Sequence, residues 1–308
     1  MPAVMSIVGA IDIGGTKIAA GIVDGDSRVL ARRSAPTPAA DGPAAVLALA
    51  ACLVREASID AGAEPVAVGV GTAGAVDSVA GVILVATDAL PGWEGTSVAS
   101  ALAVDLGLPV HIENDVTAFL LGEAVSGAAV GLADVIAITV GTGIGGALLV
   151  DGHVVRGRTC VAGNVGHVPS PEAGDRRCPC GRRGHLEAFA SGPAMTAVYR
   201  ERSGRPVADL REVARRARSG DVLAKDVLHD GATALGRIVG GLANVLDPAL
   251  ILLGGGVLGL GTWYVEAVAQ AVTLEVLVPL DPVPVRAAIL GGDAMLVGAA
   301  AAARTAGA

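Results

Sequence analysis

Aromatic residues are nearly missing from this 308-residue chain, which holds two Trp, two Tyr and two Phe, 2% of the total. Its interior must therefore be built mainly from Ala, Val and Leu. Such a core suits close helix-on-sheet packing, and it equally fits a compositional bias of the source genome. Four cysteines are too few for a disulfide-stapled secreted scaffold. Charged residues make up only 17% and the net charge is -8, which argues against a general affinity for nucleic acid or anionic lipid. Long hydrophobic runs are also absent. The longest charge-free stretch, Pro248 to Val265, begins with proline and contains five glycines, whereas a spanning helix wants about 20 mainly apolar residues. The opening MPAVMSIVGAID has neither a basic region nor a cleavage site of the secretory kind. A mean hydropathy of +0.62 excludes an unfolded polar chain. These absences lead to the expectation of a soluble, cytoplasmic, globular protein with no membrane or nucleic-acid partner. At about 150 residues per domain, the length allows two domains or one large one.

Strand and helix signals alternate along the chain. An apolar run from Met5 to Asp12 is followed by short strands at Ile18–Asp24 and Val29–Ser34 around an Asp24-Gly25-Asp26 turn. Helices are expected at Pro43–Ala61, Ser97–Leu106, Asp115–Val125, Asp221–Leu246 and after Gly291, with Asn114 placed to cap the third. Further strands are expected at Val66–Val70, Val82–Val85, Val110–Ile112, Val135–Val140, Ala147–Val150 and Ala249–Leu253. The alternation indicates an α/β architecture. Ala10–Asp24 can also be laid over Ala137–Asp151 with six of 15 positions identical, each reading strand, glycine turn, strand. Chance likeness of two glycine hairpins is one explanation. The preferred one is a duplicated fold, each half offering a phosphate-binding turn to a central cleft.

Three constellations carry chemistry. Asp12-Ile-Gly14-Gly15-Thr16-Lys17 joins a glycine turn to a carboxylate, a hydroxyl and an ammonium group, and Gly141-Thr142-Gly143-Ile-Gly145-Gly146 is a second, neutral cradle. Glycine lets backbone N–H groups approach a phosphate. Neither turn is a Walker A loop, and neither is a dinucleotide fingerprint, because a strand rather than a helix follows each. Glu113-Asn114-Asp115 stands where a strand meets a helix, fit either for general-base catalysis or for helix capping. Finally, His167, Cys178, Cys180 and His185 fall within 19 residues among prolines and glycines. That pattern reads as a closed structural zinc site, the alternative being free thiols and surface histidines. Cys52 and Cys160 read as core thiols.

With Gly166-His167 and Leu253-Gly254-Gly255-Gly256 added, the order of these motifs over nearly the whole chain resembles the ROK family of bacterial sugar kinases, within the actin/hexokinase superfamily. The resemblance implies a duplicated α/β fold of ribonuclease H-like type, with two lobes around a cleft: residues 1–113 plus 294–308, and residues 114–293. It implies ATP-dependent phosphorylation of a hexose 6-hydroxyl. Asp115 would be the base; Asn114, Asn164, His167 and Glu187 would touch the sugar. Asp12 would organise Mg²⁺ through water, with Gly14, Gly15, Thr16 and Lys17 near the phosphates. Thr142 and Gly143 would form the second phosphate turn, and Gly254, Gly255 and Gly256 the adenosine loop. His167, Cys178, Cys180 and His185 would hold structural Zn²⁺. The resemblance also implies a homodimer with ATP as donor, polyphosphate serving some relatives.

Two departures stand out. The family reads Gly-Glu-x-Gly-His where this chain has Gly163-Asn164-Val165-Gly166-His167, and His185 replaces the third zinc cysteine. The second change keeps a zinc donor. The first removes a charge from a sugar-contacting position, which argues against plain glucose as the sole substrate and leaves glucose or an amino-modified glucose such as kanosamine as the expected acceptor. N-acetylmannosamine or N-acetylglucosamine phosphorylation is the alternative, as is a catalytically silent sugar-binding protein. A sugar-sensing repressor is disfavoured by the early first strand and the negative charge.

Overall fold

The computed structural model describes residues 7–86, 89–278 and 282–307. The expected strand start at Met5 lies outside them. The chain runs through β1 (Val8–Ile13), β2 (Lys17–Val23), β3 (Val29–Pro36), α1 (Pro43–Ala61), β4 (Ala67–Thr72), β5 (Ala75–Asp77), β6 (Val82–Val85), α2 (Val98–Leu106), β7 (Val110–Asn114) and α3 (Asp115–Ser126). It continues through β8 (Val135–Val140), β9 (Ile144–Val150), β10 (His153–Val154), α4 (Glu187–Ala190), α5 (Gly192–Ser203), α6 (Leu210–Arg218) and α7 (Val222–Leu246). It ends with β11 (Leu250–Gly254), α8 (Thr262–Glu275), β12 (Val285–Ala287) and α9 (Ala294–Ala306). Most expected elements lie within two residues of these bounds. Helices α5, α6 and α8 are not among the expected elements, although α6 carries a helical apolar period in Leu210, Val213, Ala214 and Ala217. None of the helices among the described residues is long and apolar enough to cross a membrane.

Two compact units emerge. The first comprises Met1–Gly131, Arg156–Val161 and Ile289–Ala308; the second comprises Leu132–Val155 and Ala162–Ala288. Each is built on a five-stranded mixed sheet, in the orders β3-β2-β1-β4-β7 and β10-β9-β8-β11-β12. In both, a central strand pairs antiparallel with its hairpin partner and parallel with the strand on its other side. The sequence echo therefore corresponds to a repeated topology. The hairpins differ in one respect: Ile13 faces Ile18 across Gly14–Lys17, whereas Val140 faces Ile144 across Gly141–Gly143. The second turn is one residue shorter, so an ungapped overlay slips by one position after the turn.

The first unit shows what small residues accomplish. Helix α9 packs on α3, and the backbones nearly touch. A Cβ on Gly122 would lie 2.0 Å from the Ala294 carbonyl oxygen, and one on Gly298 would lie 1.7 Å from that of Ala118. Glu123, fully buried on α3, adds a polar clasp. Its carboxylate accepts the N–H groups of Ile289 (3.0 Å), Leu290 (2.9 Å) and Ala128 (2.7 Å). These contacts place α3 and the segment before α9 in the first unit. The boundary thus falls at 131/132 and 288/289 rather than at the expected 113/114 and 293/294.

On one face of that unit's sheet, Ile11, Ile13, Val68, Val70 and Ile112 pack with Val54 of α1, Leu102 of α2 and Trp93. In the second unit, β8 and β11 form a core with α5–α8, with Tyr199, Leu235, Val239 and Val268 fully buried.

Candidate active site

In the first unit, strands β1, β4 and β7 run parallel, in a register that aligns Asp12 with Gly71 and Glu113, and Ile13 with Thr72 and Asn114. Their C-terminal ends, where open α/β sheets bind ligands, therefore carry Asp12 and the start of α3 side by side. Burial raises the Asp12 carboxyl to about 7, and the charge of Asp115 adds to the rise against the opposing effects of Lys17 and Arg32. Burial likewise raises Asp115, while N–H bonds to its carboxylate pull the other way. Asp115 Oδ1 accepts from Asn114 Nδ2 and from its neighbour Val116 N, both at 2.9 Å. The Gly14–Lys17 turn closes through Gly14 N–H to the Lys17 carbonyl (3.1 Å), and Thr37 Oγ1 donates to the Gly14 carbonyl (2.6 Å). Thr16 and Lys17 are exposed.

Asn114 is the N-cap of α3, as its position suggested. Its Oδ1 accepts from Val116 N (2.9 Å) and Thr117 N (3.1 Å), and its Nδ2 also donates to the Gly74 carbonyl (3.0 Å). The amide thus caps the helix and orients the Asp115 carboxylate at once.

In the second unit, the glycine turns are packed together. Gly255 has φ +88°, and a Cβ there would lie 2.4 Å from the Val140 carbonyl oxygen, next to the Gly141 turn. Thr142 is exposed on that turn, as are Gly255 and Gly256, while Gly254 ends β11 buried. Glu187, buried at the start of α4, accepts the Ile144 N–H through Oε2 (2.8 Å). The same oxygen sits 2.6 Å from where a Cβ on Gly143 would be. A cavity of about 460 Å³ is lined by Leu260 and Trp263, which come after the Gly254–Gly256 loop, and by Lys225 and His229 of α7.

His167, Cys178, Cys180 and His185 converge in the same unit. One donor atom from each lies within 4.8 Å of all the others. Cys178 Sγ is 3.5 Å from His167 Nδ1, and Cys180 Sγ is 3.2 Å from His185 Nδ1. Burial pushes the Cys178 thiol up to about 12, and burial together with the neighbouring His167 lowers His185. Two imidazoles and two thiols that a cation would deprotonate make a donor set suited to Zn²⁺. Cys178 also reaches Glu187 Oε1 (3.9 Å), which links the cluster to the Gly143 turn. Asn164 is exposed, and its carbonyl accepts the His167 N–H (3.1 Å). Cys52 is exposed on α1 and Cys160 half-buried, so neither is the core thiol expected. The physical reason at Cys52 is its place on the solvent side of α1, whose neighbours Ala51 and Leu53 take the buried positions.

Residues 8–306 match the ROK family. The chain belongs to that family. Its fold superposes on a ROK hexokinase from Thermus thermophilus with a TM-score of 0.86, at 36% identity over 97% of this chain and 98% of the other. A ROK family glucokinase from Streptomyces griseus, solved in complex with glucose and AMPPNP, gives 0.85 at 32% identity, covering 97% and 99%. The N-acetylmannosamine kinase of Shigella boydii serotype 18 is 33% identical over 86% of this chain and 88% of its own length. This ROK chain accordingly has the actin/hexokinase-like fold and is a sugar kinase.

Two residues beside the site, Arg156 and His111, were not singled out by sequence reasoning, and both meet Glu113. Glu113 is buried and bonds both Arg156 and His111 Nε2 (3.2 Å), and these bonds hold its carboxyl below the usual range although burial opposes them. Glu113 was visible within the Glu-Asn-Asp motif. Arg156 gave no local signal, since its partner lies 43 residues away.

Proposed function

We propose that this ROK chain transfers the γ-phosphoryl group of ATP to the 6-hydroxyl of a hexose of glucose type. The observation that carries the reading is Asp115, a carboxylate raised by burial at the first turn of α3 and oriented by Asn114 Nδ2. In the step proposed, Asp115 takes the hydroxyl proton as the sugar oxygen forms its bond to phosphorus and the bond to the leaving ADP breaks. General-base help of this kind is worth about 10²–10⁴ in rate.

Asp12 would hold Mg²⁺ through water; when bound, that ion neutralises phosphate charge. Gly14, Gly15, Thr16 and Lys17 would take the phosphates, with Thr142 and Gly143 as a second turn. Gly254–Gly256 would take the adenosine, whose base the cavity beside Leu260 and Trp263 could admit. His167, Cys178, Cys180 and His185 would hold Zn²⁺, which serves as a cross-link and not in the chemistry. Asn164, His167 and Glu187 would face the sugar hydroxyls, and Asn114 could join them by exchanging its bond to Asp115 for one to substrate.

Asn164 puts a neutral amide, which both donates and accepts, where the family has a carboxylate that only accepts, so an amino-modified glucose such as kanosamine stands beside glucose as a candidate substrate. A second reading, N-acetylmannosamine as substrate, is supported by the similarity to the Shigella kinase. The deciding experiment is coupled ADP release with Mg-ATP over glucose, mannose, glucosamine, N-acetylglucosamine, N-acetylmannosamine and kanosamine. One sugar standing out by orders of magnitude in kcat/KM names the substrate. Silence from folded, zinc-loaded protein that still binds sugar would leave a binding protein instead. The homodimer and cytoplasmic location implied by the family remain part of this reading, the former checked by light scattering.

A further inference from the structure

Glu113 is 3% exposed, yet it is charged and its partner comes from far along the chain. Arg156 opens a six-residue segment, Arg156–Val161, that belongs with the first unit although the residues on both sides belong with the second. The Arg156 guanidinium meets Glu113 Oε1, and His111 Nε2 meets the same oxygen from two residues away on β7. Side chains alternate along a strand, so Glu113 and His111 leave β7 on the face opposite Asn114. Strand β7 is also the sheet's edge, with β4 as its one ladder neighbour among the described residues. Immediately after Glu113 come Asn114 and Asp115; after Val161 the chain reaches Asn164 and His167 within six residues.

We propose that Arg156, acting through Glu113, is a positioning residue for sugar binding. The ion pair fixes the end of β7 that presents Asn114 and Asp115. It also ties the Arg156–Val161 segment to that strand within the first unit. Among the described residues, the hydrogen bonds that close the Gly14–Lys17 turn involve neither member of the pair. The inference rests on the sugar-kinase reading above, and the test separates the two.

Wild-type protein is first assayed with Mg-ATP and the best sugar of the panel, with glucose as the default probe; no turnover of any sugar there defeats the kinase reading, not this inference. Arg156→Met is then expected to raise the sugar KM by about 10- to 100-fold, the penalty typical of a misplaced binding geometry. The KM for Mg-ATP should stay within about twofold of wild type, a split that general loosening of the fold would not produce. Arg156→Lys, which keeps the charge without the guanidinium fork, should recover part of the loss. Arg156→Met combined with Glu113→Gln should be no worse than the more impaired single variant, because both changes break one interaction. Should Arg156→Met fail to fold, Arg156→Lys carries the same KM comparison. An unchanged sugar KM in folded Arg156 variants would overturn the proposal, as would equal losses for sugar and Mg-ATP or additive effects in the double variant.

Discussion

Replacing Asp12 with Asn should make the metal-free protein more stable at neutral pH while removing its activity. The Asp12 carboxyl sits at about 7 in the folded chain, against an ordinary 3.8, first because of burial and then because of Asp115. Between those values the folded state keeps a proton that the unfolded state has shed. Stability from this group is therefore complete below about pH 3.8 and is lost as pH rises to about 7, beyond which the loss is constant. The full difference corresponds to roughly 4 kcal/mol, an upper bound, and the share already lost at pH 5 is about 1.5 kcal/mol. An amide at position 12 has no charge to strand. Urea unfolding in Mg²⁺-free buffer at pH 5, 6, 7 and 8 measures this. Trp93, buried in the first unit, reports on the transition once Trp263 is replaced by Phe. The variant should gain on wild type as pH rises and level off near pH 7. Mg-ADP should stabilise wild type and not the variant. Some slope will persist in the variant, since Asp115 is raised too. Identical slopes in both proteins, or a variant less stable at pH 8, would refute the argument.

Other outcomes rest on the same geometry. Asp115→Asn should lower kcat by at least about 10²-fold while sugar affinity, read by calorimetry, changes little; undiminished turnover would remove Asp115 as base. In wild type, kcat/KM should fall on the acid side with an apparent pKa above the ordinary Asp value, because burial raises Asp115 and only its ionised form accepts the proton. Elemental analysis should find zinc in the purified protein, and chelation should expose Cys178 to thiol reagents and weaken sugar binding through the Gly163–Glu187 region. Normal sugar binding by a demonstrably zinc-free sample would sever that coupling. Glu123→Gln should cost on the order of 1–3 kcal/mol, because an NH₂ group replaces one acceptor of three backbone N–H groups; a melting temperature equal to wild type would contradict it.

What could be read from the sequence was what the sequence states locally. Asn114 before an apolar helical period is a cap, and it caps α3 through Val116 and Thr117. His167, Cys178, Cys180 and His185 converge because short, glycine-rich connections leave them few other arrangements. The glycine turns and their echo were equally legible, because a hairpin's register depends on residues near in sequence. Long-range pairing was not. Nothing around Glu123 announces that it will clasp peptides 166 and 167 residues further on. Nothing around Arg156 announces Glu113. The unit boundary failed for the same reason. The sequence places α3 after the Glu-Asn-Asp motif and so with the strands beyond it, but backbone contact at Gly122 and Gly298 returns it to the first unit.

That displacement of the boundary bears on the chemistry. With α3 in the second unit, Asp12 and Asp115 would belong to different bodies, and any approach between them would depend on how those bodies move. With α3 held by α9 and Glu123, both carboxylates are carried by one unit, and the charge of Asp115 that raises Asp12 acts within it. A fixed repulsion of this kind lifts Asp12 in the absence of a cation and is relieved when one binds. The small residues of this interior thus have a mechanical role. Glycine and alanine between α3 and α9 let the helices approach closely enough to hold the proposed base at a set distance from the proposed metal-organising carboxylate. A bulkier interior, Gly298→Ala included, should loosen that spacing before it touches either carboxylate, and it should do so as a fall in kcat larger than any change in sugar KM.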